Sequence, residues 1–157
     1  MRIRKLSRQH IDIAARFLQE MVNEMASFGG LATQDPDRVL NWFLAHIQAH
    51  LDRPNHLFLM VEGDSATGEP IGILEASVSG PHPVFLPRAS LHIHAIFVLP
   101  DRRRSGVAHR LMVAAFDWGR KSGCVEADLN VLQRSPAKSL YEQLGFEVFQ
   151  HEMRRGL

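Results

Sequence analysis

The chain of 157 residues is long enough to bury roughly two-thirds of its unfolded surface without staples. Apolar residues make up 45% and charged residues 22%, ordinary for a globular protein, and a formal net charge of +1 removes any global attraction to nucleic acid or membranes. One cysteine, Cys124, excludes an intrachain disulfide and suits a reducing compartment, and no stretch approaches the length of an apolar transmembrane span. The basic opening MRIRKLSRQH has no apolar centre of signal-peptide length, so the expectation is one domain, residues 1–157, in the cytoplasm.

Residues 2–6 (RIRKL) alternate as a first strand, and Ser7 offers an N-cap. Ile11, Ala14, Ala15, Leu18, Met21, Val22 and Met25 follow helical spacing, and Phe28-Gly29-Gly30 ends that helix. Asp35-Pro36 reads as a cap followed by proline at the first helical position, and Val39, Leu40, Phe43, Leu44, Ile47 and Leu51 mark a second helix. Residues 56–62 and 71–78 flank a polar turn and predict an antiparallel hairpin. A loop at 80–89 with three prolines leads to a strand at 90–98 (SLHIHAIFV), which Pro100 ends. A helix is expected from Ser105 to Ser122 with Gly123 as its stop, then a strand at 124–131, a short helix between Ser135-Pro136 and Gly145, and a last strand at 146–154. The order β-α-α-β-β-β-α-β-α-β predicts an α/β (α+β) fold, a mixed sheet with helices on its faces.

The most informative segment is Val98-Leu99-Pro100-Asp101-Arg102-Arg103-Arg104-Ser105-Gly106-Val107-Ala108, which joins a strand to a helix. Helix starts expose unbonded amides and carry about half a positive charge, so they favour anions. Gly106 and Ala108 are small enough for a diphosphate to approach the main chain. Arginine is unhelpful at a helix start on its own account, so three in a row point to an anionic ligand.

Pro100-x-x-Arg103-x-x-Gly106-x-Ala108 resembles the Arg/Gln-x-x-Gly-x-Gly/Ala motif of the GNAT superfamily of N-acetyltransferases. Ala137-Lys138-Ser139-Leu140-Tyr141-Glu142-Gln143-Leu144-Gly145-Phe146 resembles the A-x-x-L-Y-E-x-x-G-F signature of the same family. The motif match covers residues 90–147, and the N-terminal third agrees in pattern. The resemblance implies a mostly antiparallel central sheet with helices on both faces, and acetyl-CoA as cosubstrate. Backbone amides of Arg104, Ser105, Gly106, Val107 and Ala108, beside Arg103, would hold the diphosphate. Ile96, Phe97 and Val98 would pair with the pantetheine arm in a slot between splayed strands, with the Val98 amide at the thioester oxygen. Arg104 stands where many members have glycine, and Arg134 stands where many have asparagine; Asn130 is the nearby substitute contact to the cofactor.

Direct transfer to an amine needs an acid for the leaving thiolate and a base for the attacking ammonium. The resemblance puts Tyr141, the chain's one tyrosine, near the CoA sulfur as the acid; a phenol can donate a proton to a forming thiolate. His92 and His94 lie two apart on one strand and share a face. Histidine titrates near neutrality, so both are candidate bases, His92 first and His94 second. His92 stands where some members place a glutamate, and His-x-His is similar to the arylalkylamine N-acetyltransferase branch. Glu75, which shares a face with Ile73 and Ser77, is the third candidate.

Other constellations carry less. His46 and His50 have a zinc-compatible i, i+4 spacing but no third ligand in the sequence pattern, so they read as exposed helix residues and no metal is expected. His82 either lines a substrate mouth or caps a loop. Cys124 reads as an inert thiol, Trp42 and Trp118 as packing residues, and Phe28-Gly29-Gly30 as either a helix end or part of the acceptor entrance. An edge strand at 146–154 would make a homodimer plausible. The leading reading is an N-acetyltransferase acting on a small-molecule or peptide amine in a ternary complex. Its alternatives are a non-catalytic acyl-CoA-binding regulator of the same fold and, weakened by the near-neutral charge, a nucleic-acid module using residues 102–104.

Overall fold

The computed structural model describes all residues except 30–31, 65–67, 81–83, 85–87, 154 and 157; His82 therefore lies outside the described residues. In chain order the elements are β1 (Arg2–Lys5), α1 (Ile11–Gly29), α2 (Pro36–His50), β2 (His56–Glu62), β3 (Pro70–Ser79), β4 (Ala89–Val98), α3 (Val107–Lys121), β5 (Cys124–Leu129) and α4 (Lys138–Gln143). The strands form one sheet in the order β1-β2-β3-β4-β5, antiparallel except for the parallel pair β4–β5. This is the mixed, mostly antiparallel sheet expected from the sequence.

Each face of the sheet buries its own core. On one face α1 and α2 cover Phe58, Met60, Ile73, Ala95 and Phe97 with Ala14, Ala15, Leu18, Phe43 and Ile47. On the other, α3 packs Val107, Leu111, Met112 and Ala115 on Leu57, Leu59, Leu74, Leu91 and Ile93, with Tyr141 of α4 at the margin. Fully buried leucines such as Leu18, Leu74 and Leu111 each contribute about 1.5–3 kcal/mol. The helix starts follow local chemistry. Asp35 caps α2, its carboxylate accepting from the amides of Asp37 and Arg38, with Pro36 in the first turn. Ser7 makes no cap bond to an amide; its hydroxyl is bonded to His10 Nδ1 instead, and a 3-10 turn leads into α1. No described helix is long and apolar enough to cross a membrane.

Two features depart from the pattern reading. Strand β4 carries a bulge: Glu75 faces Ala95 while Ala76 faces Ile93, which leaves His94 without a partner on β3. The extra residue reverses the strand's phase, so Leu91 and Ile93 join the α3 core but Ala95 and Phe97 join the α1/α2 core. The expected strand at 146–154 is absent among the described residues of that segment. Its apolar positions meet solvent instead, Phe149 at 98% exposure and Val148 at 66%. Alternation alone does not make a strand when no ladder partner is present to take the amides, and the edge-strand argument for a homodimer falls with it.

Gly72 sits opposite Val98, and a Cβ there would lie 2.9 Å from the Phe97 carbonyl oxygen. Gly72→Ala must push the end of β4 away from β3. The expected outcome is a loss of about 1–3 kcal/mol in a denaturant titration, comparable with other overpacked cores; an unchanged midpoint would mean that the strand end yields freely.

Candidate active site

The site is organised by where β4 loses its neighbour. Pairing with β5 ends at Ile93 opposite Leu129, yet β4 runs on to Val98. Leu99 donates to Ile71 of β3. Amides alternate in direction along a strand, so those of Ile96 and Val98 point away from β3, into the gap that β5 leaves. The Val98 carbonyl on that side accepts from Arg103 Nε at 2.9 Å. Asn130 is exposed and follows directly on the end of β5, not within the strand as the sequence suggested.

The chain then turns through a 3-10 segment, Pro100–Arg102, and α3 starts at Val107, two residues later than the spacing indicated. The delay comes from two left-handed residues, Arg104 with φ 58° and Gly106 with φ 80°. Left-handed backbone costs an ordinary residue roughly 1–2 kcal/mol, which explains why a glycine suits position 104 and why arginine there is a departure. No described protein group accepts from the amides of Arg104, Ser105, Gly106, Val107 or Ala108. A Cβ built on Gly106 would meet nothing within 4 Å, so the space beside this residue is open. Successive free amides in such a turn form a concave anion seat, reinforced by the α3 dipole. A diphosphate fits this seat by charge and by the free donors.

Arg103 is turned the other way. Besides bonding the Val98 carbonyl, its guanidinium reaches Glu24 of α1 at 2.5 Å and lies 5.6 Å from the centre of the Phe97 ring. It ties α1, the strand end and the anion turn together, so its main chain, not its side chain, adjoins the seat.

Tyr141 is half-buried on α4 against the α3 core, with its ring edge-on to Phe146. Burial raises the phenol above its ordinary value, so it keeps its proton through the neutral range. His92 and His94 share the opposite, α1/α2 face, as their spacing predicted. His92 Nδ1 is hydrogen-bonded to Asp128 on β5, and no described residue is bonded to its Nε2. His94 Nε2 is bonded to Ser77 Oγ at 2.7 Å. Loss of solvent lowers His94 below its ordinary value; the Glu75 charge works against this and the charges of His92, His56 and His46 add to it.

Glu75 also lies on this face but is 3% exposed, and its Oε1 accepts from His46 Nε2 at 2.6 Å and His56 Nε2 at 2.8 Å. Burial alone would raise this carboxyl; the bonds from His56 and His46, with the charges of His46 and His94, outweigh burial and hold it below its ordinary value. His46 is thus no exposed helix residue: its side chain is 20% exposed and engaged with the sheet. Trp42, itself exposed, stacks on it at 4.8 Å. Asp128 and His56 escaped the sequence reading. The alternation of β5 could have put Asp128 on the His92 face, but its register against β4 is a tertiary fact. Cys124 is half-buried and its thiol is pushed up by burial, in keeping with an inert role. Phe28 and Gly29 form the last residues of α1.

Residues 17–146 match the family model described as Acetyltransferase (GNAT) family. The chain is 31% identical over 117 residues to an aminoglycoside N(6′)-acetyltransferase type 1 from Acinetobacter genomosp. 13, a match covering 70% of this chain and 77% of that protein. Among solved structures, a mutant of the BH1408 protein from Bacillus halodurans shares the fold with a TM-score of 0.83 at 19% identity, over 100% of this chain and 99% of that one. The aminoglycoside N-acetyltransferase AAC(6′)-Iy in complex with CoA does so with a TM-score of 0.69 at 19% identity, over 99% and 98%. An open strand edge beside a seat of free amides, together with these matches, makes the chain a member of the GNAT acetyltransferase family, an acyltransferase whose acetyl donor is acetyl-CoA.

Gly106→Glu would add a carboxylate and a Cβ at a left-handed position in front of the anion seat. It is expected to abolish the thermal stabilisation that CoA gives the wild-type chain; an unaltered melting shift would exclude this turn as the diphosphate site.

Proposed function

We propose that the chain acetylates a primary amine of a small polycationic acceptor, in the manner of an aminoglycoside acetyltransferase, by direct attack within a ternary complex. The observation that carries the reading is the unpaired edge of β4 running straight into the free amides of residues 104–108. An extended pantetheine arm would add to that edge as a strand does, using Ile96 and the Val98 amide, since Arg103 already holds the Val98 carbonyl. Asn130 would stand across the gap, and Phe97, facing the α1/α2 core, would set the strand's position without touching the arm.

In the proposed reaction the amine nitrogen bonds to the thioester carbon and the carbon–sulfur bond breaks. The Val98 amide stabilises the oxyanion that forms between these events. Tyr141, kept protonated by burial, gives its proton to the departing thiolate. His92 is the favoured base, because Asp128 orients its ring through Nδ1 and no described residue is bonded to Nε2. His94 is second, its Nε2 being bonded to Ser77. Glu75 is disfavoured because His46 and His56 already hold its Oε1. A cationic acceptor is supported by the 31% identical relative, an aminoglycoside N(6′)-acetyltransferase.

Release of free thiol from acetyl-CoA, measured against a panel of aminoglycosides, polyamines, arylalkylamines and peptides, tests the reading. Turnover is expected with amino sugars. Saturable CoA binding without turnover on any amine would favour the regulator instead. Tyr141→Phe and His92→Gln are each expected to lower kcat by about a hundredfold or more with little change in CoA affinity. Asp128→Asn should lower kcat less, leaving KM for acetyl-CoA unchanged. Full turnover in the Tyr141 variant removes that residue from the acid role.

A further inference from the structure

Beneath the proposed acceptor wall lies a second constellation that the transfer reaction does not use. His46 of α2, His56 of β2 and Glu75 of β3 bring two Nε2 atoms and one carboxylate oxygen within 4.8 Å of one another. We propose that this trio is a binding site for one divalent transition-metal ion of zinc type, which clamps α2 onto the sheet.

The donor set fits the ion. Two imidazoles and one carboxylate with a fourth place left for water suit zinc. Harder cations such as magnesium or calcium prefer all-oxygen cages. The donors come from one helix and two adjacent central strands, so their backbones are already fixed relative to each other. Metal bonds of about 2.0–2.2 Å need tetrahedral donors roughly 3.3 Å apart. The present separations of 2.6 and 2.8 Å from Glu75 open to that value by less than about 1 Å of side-chain rotation.

The charge fits as well. Glu75 is nearly fully buried, and its recorded partners are both histidines, with neither lysine nor arginine among them. An ionised carboxylate only accepts, so each imidazole facing it carries its proton on Nε2. A buried carboxylate is costly unless it is paired, and a bound cation would pair it. Metal entry would put the ring proton of each imidazole on Nδ1, which frees Nε2 for the ion. The surroundings hold the ligands in place. His50 donates Nδ1–H to the His46 carbonyl at 2.8 Å, Trp42 stacks on the His46 ring, and His94 stacks on the His56 ring at 5.6 Å. The ion would stand behind the rings of His94 and His92, bracing the wall without touching the reacting atoms.

The test is calorimetric titration of Zn²⁺ into the full-length, tag-free chain after chelator treatment, with a parallel Co²⁺ absorption spectrum. One ion per chain and the intense visible bands of four-coordinate cobalt are expected. Glu75→Gln and His56→Asn should each weaken binding by more than about tenfold, the loss that follows even when an outer partner of a metal ligand is removed. His151→Ala, on the exposed tail, should bind as the wild type does. Absence of saturable binding to the wild-type chain would overturn the proposal. So would a cobalt spectrum of hydrated, six-coordinate type, which needs no variant to fold, or wild-type affinity in both ligand variants. Acetyl transfer is read separately by thiol release, so failure here leaves that assignment untouched.

Discussion

Unpaired backbone donors are what the site is built on, and among the described residues they gather where β4 outruns β5 and α3 begins. Beyond Ile93, β4 has a neighbour on one side only, because β5 stops at Leu129. A few residues later the amides of 104–108 also lack protein acceptors. In water such groups are solvated and cost little. They are also aligned donors at the start of a 15-residue helix, next to open space. In the proposed reading, a ligand with an extended amide-containing arm at one end and a diphosphate at the other would satisfy both sets at once. Two residues fix the strand end beside this gap. Arg103 does so most directly, bonding the last carbonyl of β4 while its other end reaches Glu24 of α1. Gly72 does so by close approach, allowing β3 to lie tight against the strand end.

The bulge at His94 decides what the other face can hold. Without the extra residue, the faces occupied by His92 and His94 and by Ala95 and Phe97 would be out of phase. One of these pairs would then have to join the α3 core. With it, the two histidines and Phe97 all lie on the α1/α2 side. Rings then touch in series from Trp42 through His46, His56 and His94 to His92, stacked from Trp42 to His46 and from His56 to His94 and edge-on at the other two steps. Bulges concentrate where a side chain must be re-aimed, and here the residues before the bulge feed the α3 core while those after it feed the α1/α2 core.

What the sequence revealed followed from local rules. Asp35-Pro36 announced α2 because capping depends on adjacent residues, and the order of strands and helices was readable from periodicity. The turn between β4 and α3 was readable because glycine and small residues at a helix start have a local meaning. The hidden features depend on register. His46 looked like an exposed helix residue because its partners, His56 and Glu75, are 10 and 29 positions away along the chain and meet it only across the sheet. Asp128 pairs with His92 through a parallel register that alternation does not determine. The segment 146–154 failed in the opposite sense: its alternation is correct for a strand, but a ladder needs a second chain segment, which no local pattern supplies.

The two faces of the sheet divide the proposed reaction between them. Tyr141 belongs to the α3 side, and the histidines belong to the α1/α2 side. An acid and a base on opposite sides of a sheet can serve one reacting carbon only if that carbon lies in the sheet's own plane, where a strand is missing. The gap beside Ile96 and Val98 is such a place. Proton donation to sulfur from one face and proton removal from nitrogen on the other then need no movement of the sheet. They also keep the raised phenol of Tyr141 apart from the imidazoles that would otherwise compete for its proton. A transfer through an acylated enzyme would need a nucleophile in the same gap. Cys124, half-buried at the far end of β5 and with its thiol pushed up by burial, does not supply one. Direct attack by the amine is the route that this division of groups supports.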